Sequence, residues 1–152
     1  MKKRRAFLFC VLLAVSPALA ATPLVRTGSG SVEGVRADGV EAYLGIPYAA
    51  PPVGDLRWRP PQPVSGWKDV RPARAFAPAC MQVGVSMPGE QTPWTSEDCL
   101  YLNVWTPAQR KARLPVMVWI HGGGYANGAA AMPLYWGDRL ARRGAEIGRA
   151  HV

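Results

Sequence analysis

Residues 114–120, LPVMVWI, form an unbroken apolar run rich in β-formers, and the run stops at His121-Gly122-Gly123-Gly124. An apolar run of that length, with no polar alternation, is the pattern of a strand covered on both faces of a central sheet. Three glycines at its end open a loop whose backbone can approach another group closely and take φ, ψ values closed to residues with a Cβ. A second run, CLYLNVW at residues 99–105, reads as another covered strand.

Around these two strands the chain is punctuated heavily. It contains 16 glycines and 15 prolines in 152 residues, about a fifth of the total, against roughly 12% in ordinary domains. The prolines stand among tryptophans, tyrosines and leucines, which argues for long ordered connections rather than disorder. Residues 24–26, 31–36 and 40–44 read as short strands. Asp38-Gly39 between the last two favours a tight hairpin, so a small antiparallel sheet is expected near the N-terminus. Residues 45–67 are too proline-rich for a central strand or a helix interior. Ile46, Tyr48, Leu56, Trp58 and Trp67 within them need burial, so this segment should wrap over a larger body. Residues 82–95 read as a polar surface loop, and residues 134–143 as a helix stopped by Gly144.

The first twenty residues have the layout of an export signal: a basic start at residues 1–5, an apolar stretch at 6–15, and Ala18-Leu19-Ala20 as the cleavage site. The apolar stretch falls short of the roughly 20 residues needed to span a bilayer, so no stable membrane anchor is expected, and the product should be secreted or periplasmic. Cleavage after Ala20 removes four cations and no acids, which lowers the net charge from +8 to +4. The remaining basic residues are scattered, whereas nucleic-acid binding requires a clustered basic face. Cys10 leaves with the signal. Cys80 and Cys99 remain, and an even pair in an oxidising compartment favours a disulfide over two free thiols. A bridge closing a loop of about 20 residues stabilises by roughly 3 kcal/mol. No CxxC and no His/Cys cluster points to a metal.

The glycine loop is where chemistry is expected. In acyl transfer the carbonyl oxygen becomes an oxyanion, and backbone N–H groups aimed at it lower the barrier, by about 3 kcal/mol or more per donor. An HGGG-type loop supplies such donors in lipases and esterases. A phosphate-binding loop would continue with Gly-Lys-Ser/Thr into a helix; here Tyr125-Ala126-Asn127-Gly128 follows. His121 sits at the strand–loop junction and reads as structural, because the catalytic histidine of a nucleophile-elbow hydrolase comes last in chain order.

Three motifs together resemble the N-terminal quarter of a type-B carboxylesterase, the α/β-hydrolase family that includes cholinesterases and para-nitrobenzyl esterases. They are YLGIPYA with PPVG and LRW at residues 43–58, SEDCLYLNVW with Pro107 at residues 96–107, and the strand and glycine loop at residues 114–124. The resemblance implies an α/β fold: the N-terminal part of an α/β-hydrolase, with a small antiparallel sheet and the first strands of a central mixed sheet. It implies that Gly123 and Gly124 donate to the oxyanion, that Cys80 and Cys99 form a disulfide, and that Arg57 and Glu97 form an internal ion pair. Trp94, Trp119 and Tyr125 would border the substrate gorge. The substrate would be a small-molecule ester, cleaved through an acyl-enzyme, with no cofactor and no metal.

A G-x-S-x-G elbow should carry the nucleophile. Ser16, Ser29, Ser31, Ser65 and Ser96 lack the flanking glycines, and Gly84-Val85-Ser86-Met87-Pro88 has proline in place of the second one. The nucleophile, acid and base are therefore expected outside this chain, and the 152 residues alone should be inactive and poorly soluble. The last seven residues, EIGRAHV, match one reading frame of a short-read sequencing adapter (GAG ATC GGA AGA GCA CAC GTC), so the family-like region is expected to end at residue 145 and residues 146–152 to be a non-native tail. The alternative to an esterase is a binding or adhesion-type member that keeps the fold and lacks the triad. Three intact glycines favour the enzyme.

Overall fold

A computed structural model describes residues 22–83, 94–109 and 113–150. The expected signal at residues 1–20, Ser86 with most of the stretch expected to be a polar loop, and the end of the chain from residue 151 lie outside the described residues.

The chain begins with a hairpin of β1 (Leu24–Thr27) and β2 (Gly30–Glu33). A second hairpin, β3 (Val35–Ala37) and β4 (Val40–Pro47), follows directly. Its turn places Asp38 at φ 49° and Gly39 at φ 75°, the two positive values that a two-residue turn matched to strand twist requires. The expectation of one small antiparallel sheet is corrected in part. The first hairpin makes a three-stranded sheet in which β2 also pairs, in parallel, with β5 (Arg71–Pro72). The second hairpin belongs to the main sheet instead, because β4 is long enough to pair on its far side as well.

After β6 (Ala79–Cys80) and β7 (Thr95–Ser96), a short parallel pair, β8 (Tyr101–Pro107) lies antiparallel to β4. Beyond it come β9 (Val116–Ile120), the short helix α1 (Asp138–Ala141) and β10 (Glu146–Ala150). The main sheet has the order β3-β4-β8-β10-β9 and is mixed: β10 runs antiparallel to β8 and parallel to β9. Within LPVMVWI the strand covers Val116–Ile120, as the composition predicts, but it lies at the edge of the described sheet with all five residues exposed. The central position beside β8 is taken by β10, whose Ile147 is buried in the core.

β4 and β8 carry the packing on both faces. Val40 and Trp105 join Ala141 and Ile147 on one face, with Phe76, Ala42 and Leu44 against them. Tyr43 joins Val32 and Ala73 on the other, with Ile46, Trp67 and Val104. Residues 40, 42 and 44 share one face and 43 the other, as strand alternation demands. A register shift between Tyr43 and Ile46 keeps Ile46 with Tyr43. Gly45, at φ 68°, makes that shift, and the buried Asn103 on β8 holds it by accepting the Gly45 N–H at 2.9 Å. An extra residue of this kind is a β-bulge.

The wrapping segment behaves as expected at its end. The Trp67 indole packs over Gly30 and donates to the Ser31 carbonyl at 2.7 Å. Trp58 departs from the expectation, being fully exposed at φ 59°. The helix expected at residues 134–143 is broken. A 3-10 turn at Pro133–Tyr135 ends in extended Trp136, and α1 covers four residues only. Gly137 is the reason: a Cβ there would come within 2.8 Å of Trp105 and 3.0 Å of Ile147, so the chain dips into the core between two turns instead of running along it. Gly144, at φ 95°, ends the segment by donating its N–H to the Ala141 carbonyl.

Candidate functional site

The glycine loop leaves the end of β9 and folds back on itself. Gly123 stands at φ 135° and Gly124 at φ 61°, with Tyr125 at φ 61° and Gly128 at φ 116°. The Gly123 carbonyl accepts N–H groups from Ala126 at 3.0 Å and Asn127 at 3.2 Å. A Cβ on Gly123 would lie 1.8 Å from the Asn127 carbonyl oxygen, so only glycine permits this closure. Among the described residues, neither the Gly123 nor the Gly124 N–H has an acceptor. Donors left open in a rigid glycine turn can serve an anionic oxygen.

The loop forms one wall of an open pocket of about 440 Å³, with Cys80, Met81 and Gln82 opposite. Tyr125 lines this pocket; Trp94 and Trp119 do not. Trp119 packs instead on Tyr135, ring centroids 6.0 Å apart. His121 turns its Nδ1 to the Gly122 carbonyl at 2.8 Å. This contact holds the ring against the start of the loop.

Cys80 and Cys99 are joined, with S–S 2.03 Å and Cα atoms 5.0 Å apart. Arg57 donates to Glu97 at 2.6 Å, and this bond raises the guanidinium pKa. The pair is not internal: the side chains are 55% and 40% exposed, because Arg57 follows a surface 3-10 turn at Gly54–Leu56.

Gln82, at the start of the expected surface loop, has a larger place in the structure. Its carboxamide accepts the Gly128 N–H at 2.7 Å and donates to the Gly128 carbonyl at 2.9 Å. A glutamine two residues after Cys80 was visible, but its partner lies 46 positions on, beyond any local pattern.

The structure matches the α/β-hydrolase fold of para-nitrobenzyl esterases. A solved structure of a PNB esterase superposes with a TM-score of 0.82 at 41% identity, over 86% of this chain and 28% of that one. The Carboxylesterase family matches residues 21–147, and the chain belongs to that family. It is 54% identical over 126 residues to a fumonisin B1 esterase of Sphingopyxis macrogoltabida, covering 82% of this chain and 23% of the relative. To the para-nitrobenzyl esterase of Bacillus subtilis it is 45% identical, covering 82% and 26%. The chain thus spans about a quarter of the length of these relatives.

Proposed function

We propose that these residues are the oxyanion-binding part of an exported serine carboxylesterase acting on small-molecule esters. The observation that carries the reading is the loop after β9, where Gly123 and Gly124 hold positive φ and leave two N–H groups without acceptors among the described residues. Membership of the Carboxylesterase family supports ester hydrolysis. In the proposed reaction a serine outside this chain attacks the ester carbonyl and its proton passes to a histidine. The carbonyl oxygen takes the charge and is held by the Gly123 and Gly124 N–H groups. The alcohol leaves with the proton from the histidine, and water then cleaves the acyl-enzyme by the same steps. Export after cleavage at Ala20 belongs to the same proposal. A non-native origin for residues 146–152 is proposed on the match of EIGRAHV to an adapter reading frame alone, against a family match that runs to residue 147 and an Ile147 buried in the core. Sequencing the locus past the Ala145 codon tests this origin.

The test of function is expression of the uninterrupted reading frame that contains residues 21–145. Its product should hydrolyse short-chain nitrophenyl esters and be labelled by a fluorophosphonate, while the purified 152-residue chain stays at background. No turnover and no label in the longer protein, or turnover by the chain alone, would sink the proposal.

A further inference from the structure

We infer that Gln82 is a positioning residue for the glycine loop, tying its far end to the Cys80–Cys99 bridge. This rests on the reading of residues 121–124 as an oxyanion loop. A primary carboxamide presents the same donor and acceptor as a peptide unit. Gln82 uses both on one residue: Oε1 accepts the Gly128 N–H at 2.7 Å, and Nε2 donates to the Gly128 carbonyl at 2.9 Å. Two bonds to one residue fix its orientation as well as its position. Nε2 also donates to the Cys80 carbonyl at 3.1 Å, so the clamp itself is held at the disulfide.

What Gly128 does next makes the clamp matter. At φ 116° it lies so close to the loop's stem that a Cβ would meet His121 Nδ1 at 2.5 Å and the Gly122 carbonyl at 2.6 Å. Fixing Gly128 therefore fixes His121-Gly122, the two residues before the proposed donors. The other end of the stem is β9, an exposed strand that pairs, among the described residues, with β10 alone. Cys99, by contrast, is buried just before β8, and its carbonyl accepts the Tyr101 N–H at 2.9 Å. Through Gln82 the loop gains an anchor to the central part of the sheet that does not pass through β9.

The experiment uses the protein from the uninterrupted reading frame, with Gln82→Met, which keeps the bulk and removes every polar contact, and Gln82→Glu, which keeps only the acceptor. Small misplacements of groups around a reacting centre cost up to about a hundredfold in rate. Gln82→Met should lower kcat by about ten- to a hundredfold, leave KM within about twofold, and weaken binding of a trifluoromethyl ketone that forms a tetrahedral adduct. Gln82→Glu should fall between it and the parent. Amide hydrogen exchange over residues 121–128 should quicken in Gln82→Met with the rest of the protein unchanged. Unchanged kcat with unchanged exchange overturns the inference. So does faster exchange everywhere with a lowered Tm, which would make Gln82 a general stabiliser. If the parent protein hydrolyses no ester, the esterase reading falls, while hydrogen exchange still decides whether Gln82 anchors the loop.

Discussion

β8 and β9 look alike in sequence and differ in what the fold does with them. Both are short, apolar and rich in β-formers. In β8, Asn103, Trp105 and Thr106 are all but inaccessible. In β9 every residue keeps between 44% and 68% of its surface in solvent. The difference is in the neighbours. β8 pairs with β4 and β10 and carries packing on both faces; among the described residues β9 pairs with β10 alone. The region that holds the fold together is thus separate from the region that carries the proposed chemistry. An exposed apolar edge of this kind invites association, and the chain spans about a quarter of the relatives' length.

The sharpest way to break the comparison is to truncate one tryptophan in each strand. Trp105→Ala should cost the refolded, dilute chain about 3–5 kcal/mol, as expected for a large aromatic removed from a core. Trp119→Ala should cost under about 1 kcal/mol, as for other exposed substitutions. Urea unfolding followed by far-UV circular dichroism reads both. Equal costs would mean that β9 is as integral to the folded chain as β8.

A charge on β9 sharpens the same contrast. Val118, 68% exposed, can become lysine with a stability change within about 0.5 kcal/mol in the 152-residue chain. The soluble fraction should rise, because lysine on an edge strand blocks edge-to-edge pairing. In the longer protein the same Val118→Lys should destabilise by several kcal/mol if that face becomes covered. A harmless lysine in both proteins would show that β9 stays bare.

The contrast also marks what was legible in the sequence. Features set by neighbours in the chain could be read: the strands at residues 99–105 and 114–120, the Asp38-Gly39 turn, the stop at Gly144. The cysteine pair, joined in the structure, was readable from its even count together with the expected export. Features set by distant partners could not. Nothing local in VMVWI says whether one strand or two will flank it. The helix expected at residues 134–143 fails at Gly137 because Trp105 and Ile147 claim the space a side chain would need. Of the candidate site, the glycines that shape the loop were visible, but the Gln82 clamp was not, since a glutamine in a polar stretch has no periodicity to betray its partner.

The smallest expected effect concerns Arg57 and Glu97, which the resemblance placed inside the protein. Here both remain substantially exposed, as β9 does, so water and salt screen their attraction. Removing either side chain from the 152-residue chain should leave the urea midpoint within experimental error, and any coupling in a double-mutant cycle should vanish at high salt. The same cycle in the longer protein separates two possibilities. A coupling that stays small and salt-sensitive means the pair is a surface contact in both. A larger coupling that persists in salt means that chain beyond these residues covers the pair, and losing one partner then strands a desolvated charge. In that case exposure here is a property of the quarter-length chain, for the ion pair and for β9 alike.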